Sequence, residues 1–462
     1  SPMVAPRAPR VALVLAYVVL FASSRAALAR QQPVQLIDGA GGIADSDALN
    51  GFIDPTVGDS YSVVAVIGPQ SSGKSTWLNS AFGTSFGVLD DSRGRSQTTL
   101  GIWAQEAPSH PGLLCLDVQG SDSREAGEEG RAFERRTALL ALALADTLVV
   151  NLWEHDIGRL EASNLALLHS VWELTLELRR ASSVAAGRRQ TLLLLVRDKT
   201  SGTPETTLEA QLEAQLAEAW AQAWQPAGGG GAADPEGGSA PALAELFELR
   251  VSFLPHKRLQ AAEWEQRVAT LAVVDDMFGG AAEAADGVAA APFAGVPADG
   301  LAEYARAIWQ AIEEQAPLHL PSQKALLAEH RCAFLADEQA AAASGRLPSL
   351  RSRLRGLRRG EMVRGRTFRR ACDAFLAHGL DAYEARARRY GTEVAERHRH
   401  RLVEAQWRVI APLAAQQLRA IRVSKVGTFG SALADVATGG AAAGDEGEGE
   451  AAAGNASAGE VT

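Results

Sequence analysis

Residues 63–83, VVAVIGPQSSGKSTWLNSAFG, constrain the fold more than any other stretch of the chain. β-Branched residues run into a glycine turn, then a lysine, then an amphipathic pattern that predicts a helix over 74–82. A strand this apolar has no solvent face, and such strands belong to parallel sheets covered by helices on both sides. The pattern repeats downstream. Apolar runs at 113–117, 147–153, 191–198 and 246–255 alternate with helical patterns at 130–145, 160–179 and 207–224. The expected class is α/β, with a mostly parallel sheet. The lead-in at 34–60 reads as turn-rich.

With 462 residues the chain exceeds one ordinary core, so two or three domains are expected. The α/β region is read as 34–280, with a glycine-rich flexible insertion at 226–242. A weak segment at 281–300 is read as a linker. From 301 to 437 apolar residues recur only at helical spacing, and a helical bundle is expected there. Residues 438–462 are small and acidic, with nothing to bury, and are expected to be disordered. Arg7 and Arg10 precede an apolar run at 11–22 and then small residues, the order of a signal peptide. An extension with no such role, or an interfacial segment, is the equal alternative for 1–33. The net charge of −10 argues against general nucleic-acid binding, so no nucleic-acid partner is expected. Three scattered cysteines, Cys115, Cys332 and Cys372, suit neither a disulfide framework nor a zinc site and are read as buried thiols.

Gly68, Pro69, Gln70, Ser71, Ser72, Gly73, Lys74 and Ser75 fit the phosphate-loop pattern, with the strand before and the helix after that it requires. Backbone N–H groups of such a loop turn inward on phosphates, and the helix start at Ser75 and Thr76 adds its dipole. Lys74 is expected on the β- and γ-phosphates and the Ser75 hydroxyl on Mg²⁺. Asp117 ends an apolar strand and is the second expected metal ligand. Taken alone, it would read as a strand-end turn. Gly120 follows, and its N–H is expected at the γ-phosphate. Between loop and aspartate lies the polar, threonine-bearing stretch 93–103, where a nucleotide-sensing switch belongs. Thr99 is the candidate for the metal and γ-phosphate, with Thr98 the alternative. Arg197 and Asp198 close the 191–198 run. A carboxylate there can pair with guanine N1 and N2, although an Arg-Asp dipeptide is also a common surface ion pair. The cofactors expected are GTP and Mg²⁺.

The combination of QLIDG, VVAVIGPQSSGKSTWLN, RGRSQTTLGIW, FERRTALLALALADTLVVNLWEHDIGR, VRDKT, LPHK and LPSQKALLAEHRC resembles the dynamin-related fusion GTPases of the endoplasmic reticulum, the atlastin and root hair defective 3 group. It is most similar to the plant, fungal and protist branch and covers about residues 34–335. The resemblance implies a Ras-like GTPase domain followed by an α-helical bundle. It implies a GTP hydrolase that forms a homodimer through its GTPase domains and tethers or fuses membranes from the cytosolic face of the endoplasmic reticulum. It places the guanine motif on Arg197 and Asp198, and the last base-side loop near Pro255, His256 and Lys257.

Three departures qualify this. The loop arginine of atlastins is Ser71 here, preceded by Gln70. These two are the candidates to position the attacking water, with Arg93 or Arg95 the alternatives for charge neutralisation. The acidic residue usual after the metal aspartate is Gln119. The family's longer stalk, membrane hairpin and amphipathic tail have no counterpart after Val426. The alternative reading is therefore a soluble guanylate-binding-type GTPase, or a GTP-gated scaffold without fusion activity. Residues 351–370 are densely basic and read either as a lipid-headgroup surface or as a solvated helix face. His155 and Asp156 are read as structural or dimer contacts, and Trp103 and Trp153 as core.

Overall fold

The computed structural model describes residues 32–44, 53, 57–88, 99–120, 128–158, 172, 173, 175, 189–200, 202–224, 243–271, 295–315 and 320–439. The 226–242 insertion lies outside them, as do residues 93–98 of the switch stretch and nearly all of 1–33, 160–179 and 438–462. Two compact units are present, Ser1–Arg331 and Cys332–Thr462.

The first unit is a seven-stranded sheet flanked by helices, in the order β1-β3-β4-β2-β5-β6-β7. The strands are β1 (Val34–Ile37), β2 (Ser62–Ile67), β3 (Ile102–Glu106), β4 (Leu113–Val118), β5 (Thr147–Trp153), β6 (Gln190–Lys199) and β7 (Phe247–Pro255). β4, β2, β5, β6 and β7 are mutually parallel, and β3 and β1 add an antiparallel edge. The α/β, mostly parallel Ras-like architecture expected from the sequence is the one found. Two strands were hidden in the sequence. β1 is only four residues long and runs straight into Asp38-Gly39, so its turn signals mask it. β3 begins at Ile102, inside the stretch read as switch loop. It carries the buried polar Gln105, whose Oε1 accepts the Ser85 N–H at 2.8 Å.

Period-2 alternation divides the apolar side chains between two faces. Val64 and Val66 of β2, Cys115 of β4 and Leu193 and Leu195 of β6 pack under α1 (Lys74–Phe82) and α4 (Ala261–Leu271). Trp77 and Phe82 meet there edge to face at 5.6 Å. Other helices of the unit are α2 (Glu128–Leu144), α3 (Glu205–Trp224) and α5 (Leu301–Glu313). Leu208, Leu212, Leu216 and Trp220 of α3 recur every four residues and are all buried.

The sequence-expected linker ends in packed structure. Tyr61 donates its hydroxyl to Val296 O at 2.6 Å, Ala298 N donates to Gly58 O, and Trp309 of α5 donates Nε1 to Gly41 O. Residues 296–313 thus belong to the α/β unit, and the unit boundary falls inside α6 (Leu320–Arg353) rather than at 300. The apolar pattern of α5 marks a helix equally well on a sheet or in a bundle, so spacing alone could not place it.

Among the described residues, the second unit is built of helices and the turns between them. α6 is followed by a one-turn helix, Arg355–Arg358, then α7 (Gly365–Ala387) and α8 (Thr392–Gly439). Leu350, Leu354, Leu357, Cys372, Phe375, Ile410 and Leu413 form its core. All three cysteines are buried and none is in a disulfide. No helix among the described residues is long and apolar enough to cross a membrane.

Candidate nucleotide site

Three strand ends and one helix start build the site. β2 delivers Gly68–Ser72, and α1 begins at Lys74 with Gly73 in the left-handed region, φ 80°. Ser71 also sits there, at φ 60°, without being glycine. Such conformations collect at functional sites because the surroundings must hold them against strain.

Lys74 is buried, and its Nζ donates to Gly68 O at 3.1 Å and Pro69 O at 3.0 Å. Burial lowers its ammonium to about 8, against the pull of Asp117. β4 brings Asp117 to the same place, 1% exposed. Its Oδ2 accepts from the Ser75 hydroxyl at 2.6 Å and the Thr99 hydroxyl at 3.1 Å, and the two hydroxyls lie 3.4 Å apart. Burial raises the Asp117 pKa, offset in part by Lys74 and these hydroxyls. The three residues expected to hold a metal are therefore brought together.

Gly120 lies against the loop. A Cβ there would stand 2.5 Å from Gln70 Cα and 2.9 Å from Lys74 Nζ, so only glycine permits the approach. Gln119 accepts the Gly101 N–H on Oε1 at 2.8 Å, while its own N–H donates to Gly101 O. The residue that departs from the family pattern thus fastens the base of the Thr99 segment to β4.

Arg197 stands apart from the expectation of a base contact. It is 5% exposed, and its Nη1 donates to Ser72 O and Gly73 O, each at 3.1 Å. Burial lowers its pKa, although Asp198 opposes this. Asp198 is half-buried at the β6 end, with φ 56°. Lys199 pairs with Pro255, so the Arg-Asp motif and the Pro255–Lys257 loop are neighbours. Lys257 stacks its ammonium on Trp264 at 4.6 Å. The sequence reading missed Asn151, which is fully buried and donates Nδ2 to Ser72 O at 3.0 Å. An asparagine within the run TLVVNLW was the signal. His155 is mostly exposed and lies over Trp153 at 5.7 Å, with Asp156 3.4 Å away. Trp103 packs at the rim of the main core, and Trp153 is half-buried.

A hard cation fits this donor set. Ser75, Thr99 and Asp117 offer oxygens alone, as Mg²⁺ prefers. Asp117 Oδ1 is buried without a hydrogen-bond partner among the described residues.

Residues 67–321 match the family model described as the root hair defective 3 GTP-binding protein GTPase domain. Protein SEY1 of Laccaria bicolor is 35% identical over 82% of this chain and 46% of its own length. Protein ROOT HAIR DEFECTIVE 3 homolog 1 of Arabidopsis thaliana is 37% identical over 66% of this chain and 36% of its own. Protein SEY1 homolog of Dictyostelium discoideum is 31% identical over 81% and 41%. The chain spans less than half the length of these curated relatives. A solved structure of the bacterial elongation factor EF-Sec aligns over 47% of this chain and 28% of its own, at 13% identity. Its TM-score of 0.29 is too low to carry any argument.

Proposed function

This chain belongs to the root hair defective 3 GTPase family, whose GTP-hydrolysing domain it carries over residues 67–321, and from that premise we propose how it works. It is a Mg²⁺-dependent, dynamin-like GTP hydrolase that forms a homodimer through its GTPase domains on GTP. It tethers or fuses membranes of the endoplasmic reticulum from the cytosolic face and shapes the tubular network. The observation that carries this reading is the meeting of Ser75, Thr99 and Asp117 beside Lys74 on the phosphate loop.

In the proposed mechanism Lys74 leaves the Gly68 and Pro69 carbonyls for the β- and γ-phosphate oxygens. Backbone N–H groups of Gly68–Ser75 and of Gly120 turn toward the same oxygens. Mg²⁺ held by Ser75, Thr99 and Asp117 would supply the positive charge that spreads the transition-state charge. Gln70 and Ser71, on the exposed side of the loop, orient the water for in-line attack. Asp198 accepts from guanine N1 and N2, which adenine cannot supply. Arg197 and Asn151 act on the loop rather than the substrate, holding the Ser72 and Gly73 carbonyls away from the phosphates.

Ser71 at the position of the atlastin loop arginine favours a second reading, a GTP-gated scaffold that binds and dimerises with little turnover. Phosphate release from GTP and ATP, with Mg²⁺, across protein concentration tests both. Turnover of GTP alone, with specific activity rising with concentration, is expected. GTP binding with dimerisation but no phosphate release would replace the hydrolase by the scaffold.

A further inference from the structure

The helical unit carries a concentration of charge that its own architecture does not use. Residues 351–370 hold nine arginines, no lysine and one carboxylate, Glu361, in a chain of net charge −10. All nine arginines are exposed. They lie on the last turn of α6, on the one-turn helix Arg355–Arg358 and on the start of α7, three elements that meet at one corner.

Elsewhere in the unit many arginines are matched to acids. Arg386 pairs with Glu338, Arg388 and Arg399 with Glu384, Arg397 with Glu393 and Arg408 with Glu404. At the corner, Arg369 with Asp373 at 3.4 Å is the one ion pair among the described residues. Helix stability accounts for Arg351 and Arg353, in the last turn of α6 where cations are favoured, but not for the arginines that open α7. Arg364 caps α7, and Arg366, Arg369 and Arg370 occupy its opening turns, with no acid in the first. That end of a helix carries the positive pole, where cations are disfavoured. The corner is nevertheless firmly held. Leu354 and Leu357 are buried in the core, with Val363 and Phe368 packed against it. Gln417 of α8 donates to Val363 O at 2.6 Å and accepts from Val363 N at 3.2 Å. Met362 stands 45% exposed among the arginines.

We propose that this corner docks on anionic lipid headgroups at a bilayer surface. Guanidinium forks match phosphate and carboxylate oxygens bidentately. A headgroup surface presents many anionic groups at once, and charges within the ~8–10 Å screening length of physiological salt act on it together. Met362 can enter the headgroup layer, but with one such anchor the attraction is chiefly electrostatic and salt-sensitive. The inference takes its membrane setting from the function proposed above and uses nothing of GTP hydrolysis.

The test is flotation of the nucleotide-free full chain with phosphatidylcholine vesicles, with and without phosphatidylserine, for wild type and two quadruple variants. Arg364, Arg366, Arg369 and Arg370 are changed together to Gln in one variant and to Lys in the other. The wild type should bind the anionic vesicles and lose them in high salt. The Gln variant should bind on the order of a hundredfold more weakly, and the Lys variant should keep most of the binding. GTP turnover at the wild-type rate shows that each variant is folded. Equal binding to neutral vesicles, unchanged binding by the Gln variant, or stronger binding to RNA than to anionic vesicles would each overturn the proposal. Vesicle binding by a wild type that cannot hydrolyse GTP would overturn the hydrolase reading and leave this one standing.

Discussion

Lys74 and Arg197 are 6% and 5% exposed and end on backbone carbonyls of one loop, whereas the arginines of 351–370 stand in water with hardly an acid among them. Cations of the first kind are desolvated and placed to a few tenths of an ångström. Each is individually indispensable, because nothing else reaches the groups it holds. Cations of the second kind are interchangeable. They keep their hydration, act by number and yield to salt. Mutating single residues should therefore separate the regions sharply: large effects at the nucleotide site, small and graded ones in the helical unit.

Lys74→Ala tests the steepest side of that contrast. It should lower GTP turnover by ~10³-fold or more, read as phosphate release, with GTP binding lost in parallel. Unchanged turnover would sink the phosphate-loop assignment. Asp117→Asn should cost about 10²-fold and raise the Mg²⁺ concentration needed for half-maximal rate. A drop in rate without a shift in Mg²⁺ dependence would remove Asp117 from the metal.

The buried lysine also gives a stability signature that no exposed cation shares. Burial brings Lys74 from 10.5 to about 8 in the folded chain. Its folded value lies below its unfolded one, so between these values the unfolded chain holds a proton that the folded chain has released. Stability of the nucleotide-free protein should rise as pH goes from 8 to 10.5, by roughly 3 kcal/mol, with no such gain below pH 8. Urea midpoints at the two ends of the window, compared with Lys74→Met, check this. Equal slopes in both proteins would mean that Lys74 is not buried as described.

Arg197→Ala should destabilise by about 2 kcal/mol, since the Ser72 and Gly73 carbonyls lose a charged donor. If Arg197 serves the loop rather than the base, the preference for GTP over ATP should survive while affinity for both falls. Loss of that preference would return Arg197 to the base. At the mild end, Arg399→Ala breaks a 2.8 Å pair with the half-buried Glu384, whose carboxyl is held below its usual range by that hydrogen bond. A loss under about 1 kcal/mol by thermal melting is expected. A larger one would show that the helical unit relies on its ion pairs as the nucleotide site relies on its own.

Much of the site was legible because its chemistry is local in sequence. Gly68–Ser75 is one continuous motif, and Asp117 closes an apolar strand, so each could be named without knowing the fold. What was not legible depends on contacts between distant strands. The turn of Arg197 toward the Ser72 and Gly73 carbonyls is set by β6 lying two places from β2, which dipeptide chemistry cannot reveal. Asn151 was passed over for the same reason. β1 was lost because four residues run straight into turn signals, and β3 because it begins inside the stretch read as switch loop and buries the polar Gln105. The position of α5 was lost because helical spacing says which face is apolar and not what covers it.

The Ser72 carbonyl receives both Asn151 and Arg197, so the floor of the site is riveted to two strands of the sheet. The opposite wall is hung more lightly. Thr99 is held through its hydroxyl, by an Asp117 oxygen it shares with Ser75 and by the Ser75 hydroxyl at 3.4 Å, and Gly101 by its exchange with Gln119. A nucleotide that loses its terminal phosphate cannot bend the floor. The slack is expected to fall to the hung wall, so that any work drawn from hydrolysis would leave through that side.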